Sequence, residues 1–137
     1  MPGIMVDSNV LLDILTEDSQ WFQWSSEALA EAAERHTLVI NAVIFAEVSV
    51  RFARIEDVNE ALPPEWFERR AIPYEAAFLA AKCFSSYRRR GGEKIAVLPD
   101  FFIGAHAAVE GLKLITRDMG RYRTYFPRLD IISPAGK

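Results

Sequence analysis

The chain has 137 residues, enough for one ordinary hydrophobic core and too few for a second, so a single domain over residues 1–137 is expected. Half the residues are hydrophobic and 12% aromatic, which excludes a disordered chain, and no apolar run reaches the length of about 20 residues that spans a bilayer. The net charge of −3 neither announces nor excludes a polyanionic partner, because basic residues gather locally at Arg88–Arg90 with Lys94, and at Arg117, Arg121, Arg123 and Arg128.

In chain order, GIMVD predicts a first strand, followed directly by a short helix, SNVLLDIL. SQWFQWSSEALAEAAERH reads as an amphipathic helix capped by Asp18 or Ser19. TLVIN is a second β-rich run, and Asn41 is placed to cap the helix AVIFAEVSVRFA. IEDVNEALPPEW predicts a short helix closed by Pro63 and Pro64. After ERRAI, the helix PYEAAFLAAKCFSSYRRR starts near Pro73 and stops at Gly91 and Gly92. Asp100 opens the helix DFFIGAHAAVEG, with Gly111 as its C-cap. KLIT is a third strand and LDIIS a fourth, with RDMGRYRTYF between them as a loop containing a helical turn. Short apolar strands alternating with helices predict an α/β fold whose parallel sheet is covered on both faces. Sites in such sheets form beyond the carboxyl ends of the strands, which is where Asp7 and Asp118 fall.

Asp7, Glu47, Asp100 and Asp118 each enter or leave an apolar segment. A carboxylate costs several kcal/mol to bury without a compensating charge, so four such residues point to a shared cation. Oxygen ligands without a His–Cys constellation suit Mg²⁺ or Mn²⁺ and not zinc. An acidic pocket with basic residues around it suits phosphodiester hydrolysis, with Arg117 and Arg121 placed to meet phosphate. Ser8, Asn9 and Thr116 stand beside the acids, placed either to bond a carboxylate or phosphate or simply to cap helices and form turns.

Each acid also has a structural explanation. Asp7 and Asp100 can cap the helices that follow them, Glu47 can pair with Arg51, and Asp118 can form an Asx turn. Asp13 falls off the metal-facing side of its helix, and a solvated role is expected. His106 lies about 240° around the helix from Asp100 and is expected to point elsewhere, as a satisfied buried or boundary residue. Cys83, the single cysteine, reads as a small core residue. Arg88–Arg90 close a helix, where positive charge is favourable whether or not RNA touches it. Trp21 and Trp24 share a helix face and suit core or partner contacts. MPGIMVDSNV shows no secretory signal, so a cytoplasmic protein without a membrane partner is expected.

With these residues in view, the chain resembles PIN-domain proteins, specifically VapC-type ribonuclease toxins. The likeness rests on VDSNVLLD, NAVIFAEVS, LPDFFIGAHA and LITRDMGRY, in that order and over essentially the whole chain. It implies a three-layer sandwich with a central, mostly parallel sheet of about five strands flanked by helices. It also implies Mg²⁺- or Mn²⁺-dependent cleavage of RNA, with Asp7, Glu47, Asp100 and Asp118 as the metal-binding and catalytic acids. A cognate VapB-type antitoxin and a homodimer are the implied partners. Two alternatives share the fold: an RNA-maturation nuclease outside a toxin pair, and a non-catalytic module binding RNA or protein. A haloacid-dehalogenase-like phosphatase fits poorly, because Asn9 stands where a second aspartate is needed.

Overall fold

The structure, a computed structural model, describes residues 1–94 and 97–134. Five parallel strands form one sheet in the order β3-β2-β1-β4-β5. At the centre lies β1 (Gly3–Val6), flanked by β2 (Thr37–Ile40) and β4 (Lys113–Ile115). The last three residues of β1 and β2 and the last two of β4 are buried, as expected for strands covered on both faces. The edges are β3 (Glu68–Arg69) and β5 (Ile131–Ile132). Only β3 has no counterpart in the sequence reading: two exposed charged residues carry no hydrophobic pattern, and their strand character comes entirely from pairing with β2.

The helices are α1 (Ser8–Leu15), α2 (Phe22–Arg35), α3 (Ala42–Ser49), α4 (Ile55–Ala61), α5 (Tyr74–Arg89), α6 (Leu98–Glu110) and α7 (Gly120–Tyr125). None in the described residues is long and apolar enough to cross a membrane. Asn41 caps α3 as expected, its Oδ1 accepting the Ile44 N–H at 2.9 Å. Gly111 ends α6 at φ 67°, a left-handed position where a Cβ is strained.

Three boundaries differ from expectation. Asp18 caps a turn rather than α2, accepting the Gln20 and Trp21 N–H groups at 2.9 Å each while α2 begins at Phe22. α3 stops at Ser49, four residues short of Ala53. α6 begins at Leu98, so Asp100 lies within its first turn instead of preceding it.

The sheet grows away from β1 in both directions, so the carboxyl ends of β1, β2 and β4 frame a crevice at the point where the strand order reverses. Register aligns Val6 with Ile115, and the Asp7 N–H donates to the Ile115 carbonyl at 2.9 Å. Asp7 and Thr116 therefore leave adjacent strands at one level. α5 and α6 pack through an aromatic cluster in which Phe101 meets Phe84, Tyr87 and Tyr125 at ring separations of 5.7, 5.6 and 5.2 Å. Such pairs stabilise by about 1 kcal/mol each beyond the area they bury, and here they fix the first turn of α6 and Asp100 with it.

Candidate active site at the carboxyl edge of the sheet

Asp7 is the residue before α1, yet its side chain makes no capping bond to that helix. The carboxylate, 3% exposed, is held from elsewhere: Oδ2 accepts from Thr116 Oγ1 at 2.8 Å and from the Tyr122 hydroxyl at 2.9 Å. Burial pushes its pKa up, the Thr116 and Tyr122 bonds oppose that, and the charge of Glu47 adds to the rise. Oδ1 has only the Ser8 hydroxyl, at 3.5 Å. That hydroxyl lies 2.6 Å from Glu47 Oε1, and its single proton belongs to the shorter bond. Among the described residues Asp7 Oδ1 is thus without a close side-chain donor.

Glu47 projects from α3 toward this pair. No bond to Arg51 is formed among the described residues, so the helix-surface explanation of Glu47 does not hold. Asp100 is half-buried and donates its charge to the same crevice. Burial first, then the Asp7 charge, raise its pKa to about 6 against the lowering effect of Arg121, with Glu47 raising it further. Arg121 Nη1 donates to Asp100 Oδ2 at 2.9 Å. The charge of Glu47 therefore acts on both Asp7 and Asp100, and that of Asp7 on Asp100.

Asp118 stands apart. It is exposed, its Oδ1 accepts the Gly120 N–H at 3.2 Å in the anticipated Asx turn, and no hydrogen bond joins its carboxylate to the other three among the described residues. Its backbone does reach the site, since its N–H and carbonyl both lie 3.2 Å from Thr116 Oγ1. Asn9 completes this knot: Nδ2 donates to Thr116 Oγ1 at 3.2 Å and Oδ1 accepts the Arg117 N–H at 3.2 Å. Ser8, Asn9 and Thr116 are committed to holding carboxylates and loops in place.

Two expectations are corrected. Asp13 is not solvated but 2% exposed, accepting from Ser25 Oγ at 2.8 Å. Arg117 is not free for phosphate: Nε and Nη2 donate to the two oxygens of Asp13 at 2.8 and 3.0 Å, and the guanidinium lies 5.5 Å from the Trp21 ring centre. Asp13 faces Ser25 of α2, and the loop after β4 brings it the Arg117 cation. His106 is buried as expected, with Asn41 and Glu110 as its polar neighbours among the described residues, but its Nε2 is not satisfied by a hydrogen bond. Asn41 Nδ2 donates to its Nδ1 at 3.0 Å, which places the proton of the neutral ring on Nε2, 3.2 Å from Glu110 Oε1 but badly angled for a hydrogen bond. Burial pushes its pKa down.

Tyr122 is the site residue that sequence reasoning missed. It reaches Asp7 because Gly104 on α6 admits α7 closely: a Cβ there would lie 2.5 Å from the Phe126 ring and 3.1 Å from Tyr122 Cδ1. The only local signal is a tyrosine one helical turn beyond Asp118.

Among the described residues no three ligating side chains already enclose a single point. The donor set nonetheless suits a hard divalent cation: three carboxylates share the crevice, burial and neighbouring negative charge raise the pKa of Asp7 and Asp100, and Arg121 is the one cation bonded to them among the described residues. Carboxylate oxygens of this kind are the ligands such an ion takes.

The PIN domain family matches residues 4–127. No curated protein sequence matches significantly. Among solved structures, the chain is similar to FitAcB from Neisseria gonorrhoeae, with 19% identity, a TM-score of 0.72 and coverage of 98% of this chain and 99% of that one. VapBC2 from Rickettsia felis, solved with a DNA fragment from its promoter, matches at 16% identity and TM-score 0.70, covering 96% and 98%. A toxin–antitoxin complex from Klebsiella pneumoniae matches at 21% identity and TM-score 0.67, covering 94% and 95%. At these identities the likeness is one of fold.

Proposed function

Because the chain belongs to the PIN-domain family, we propose that it is a divalent-metal-dependent endoribonuclease acting as one PIN domain, the toxin of a VapBC-type pair. The observation that carries this reading is the crevice itself, where burial and the charge of neighbouring carboxylates, Glu47 among them, raise the pKa of Asp7 and Asp100, and where the Asp7 Oδ1 has only a long side-chain contact, to the Ser8 hydroxyl at 3.5 Å, among the described residues. A bound Mg²⁺ or Mn²⁺ supplies Lewis acidity toward water and the phosphodiester. Asp7, Glu47 and Asp100 are the residues that would hold it, with Asp118 at the rim.

The rest of the chemistry belongs to the chain. Thr116 and Tyr122 occupy Asp7 Oδ2, which leaves Oδ1 as the oxygen that would be available to the ion. Ser8 orients Glu47, and Asn9 keeps Thr116 in position to donate. Arg121, bonded to Asp100 and partly exposed, is placed to offset negative charge on an incoming phosphate. Arg117 serves the site indirectly, by fixing the loop that carries Thr116 and Asp118.

The similar folds of toxin–antitoxin complexes support a VapB-type antitoxin as the partner that restrains this activity, and a homodimer and a cytoplasmic location belong to the same reading. The test is cleavage of cellular RNA by the purified protein with Mg²⁺ or Mn²⁺, beside EDTA and folded D100N. Discrete fragments requiring both the ion and Asp100 are expected. Metal binding without cleavage, in the absence of any copurifying inhibitor, would make the protein a binding module instead.

A further inference from the structure

Two guanidiniums at the site are spent on carboxylates: Arg117 on Asp13 and Arg121 on Asp100. The end of α5 is different. Arg88, Arg89 and Arg90 are exposed and have no carboxylate partner among the described residues. Two of them rest on aromatic rings, Arg88 at 6.0 Å from the Phe84 centre and Arg90 at 5.4 Å from that of Tyr125.

Those rings lead to the site. From Arg90 the contacts run to Tyr125 at 5.4 Å, to Tyr87 at 6.3 Å, to Arg121 at 5.9 Å and to Asp100 at 2.9 Å. Phe101, the neighbour of Asp100, packs against the same rings. The dipole of α5 explains why cations close the helix. It does not explain why they are mounted on half-buried rings contiguous with the acidic crevice. Fixed guanidiniums beside tyrosine rings are what a single strand of nucleic acid uses, phosphates meeting the cations and bases meeting ring faces.

Resting on the nuclease reading, we infer that the carboxyl end of α5 is the track along which a single-stranded segment of RNA enters the site, its phosphates on Arg88 and Arg90 and its last step on Arg121. Polarity supports this placement, since a polyanion approaching three carboxylates needs positive charge beside them, and these cations are joined to Arg121 and Asp100 through contiguous rings.

The test uses full-length D100N, which binds without cutting, and a fluorescein-labelled single-stranded RNA of about 12 nucleotides. R88Q/R90Q in that background is expected to weaken binding about tenfold and to lower the salt slope of log affinity by about 1.4, the value for two lost single-strand phosphate contacts. R35Q/K113Q removes the same charge from the opposite edge of the sheet, where α2 ends and β4 begins, and is expected to bind normally. Unchanged affinity in R88Q/R90Q, equal weakening in both pairs, or tighter binding of DNA of the same sequence would each overturn the assignment. Cleavage by protein retaining Asp100 is scored separately. Its absence removes the nuclease reading, while the binding arms still decide the track.

Discussion

Two aspartates, one immediately before α1 and one within it, are almost equally buried, Asp7 at 3% exposure and Asp13 at 2%. Asp13 has both oxygens bonded to the Arg117 guanidinium and a further bond from Ser25. Asp7 has two hydroxyl donors on one oxygen, only a long side-chain contact to Ser8 on the other, and Glu47 and Asp100 as charged neighbours. A carboxylate that only supports the fold is supplied with its own cation, because an unpaired buried charge costs several kcal/mol. One kept next to like charges raises the energy of the empty fold, and a bound cation removes that cost. Burial alone therefore does not mark a functional acid; the sign of its neighbours does.

The largest effect separating the two is on activity. D7N or D100N should lower RNA cleavage about a thousandfold or more, about 4 kcal/mol in the barrier, while the melting temperature without metal holds or rises. A variant that keeps full cleavage would remove that residue from the metal site. R117M should do the converse, lowering stability by about 3–5 kcal/mol in denaturant unfolding by stranding Asp13. A loss under about 1 kcal/mol would show that Asp13 finds water or another donor.

Acidity sharpens the contrast next. Asp100 holds its proton to about pH 6 in the folded chain against an ordinary value of 3.8, so the folded state binds the proton more tightly. Its contribution is fully present below the ordinary value and is lost as pH rises through about 6. The difference in melting temperature between the wild type and D100N should fall over that window without metal. Excess Mg²⁺ should restore stability above it, by mass action on the folded state. A flat difference would place Asp100 in ordinary solvent. The smallest effect belongs to Y122F, which keeps the ring against Gly104 and removes one donor from Asp7. Isothermal titration should show Mn²⁺ affinity reduced about 10-fold, with about 1–2 kcal/mol of stability lost. Unchanged metal affinity would reduce Tyr122 to packing.

Much of this was legible in the chain. The apolar runs ending in Asp7, Asn41 and Thr116 located three strand ends, and Asn41 and Gly111 marked helix boundaries by side-chain and backbone chemistry that acts within a few residues. Asp7, Glu47 and Asp100 stood out because each interrupts an apolar pattern. Pattern could not reveal β3, whose two residues have no buried face, or the environment of Asp13.

What sequence by itself determined is the order of elements, the sheet class and the positions of the acids, all of which rest on local periodicity and capping. Only the tertiary structure decided which acid owns a cation. Arg117 meets Asp13 across 104 residues, Tyr122 meets Asp7 across 115, and Asp118 turns to Gly120 instead of joining its fellow acids. Ion pairs and hydrogen bonds form within about 3 Å of space whatever the separation along the chain, and it is the packing of α6, α7 and the loop after β4 that sets those distances.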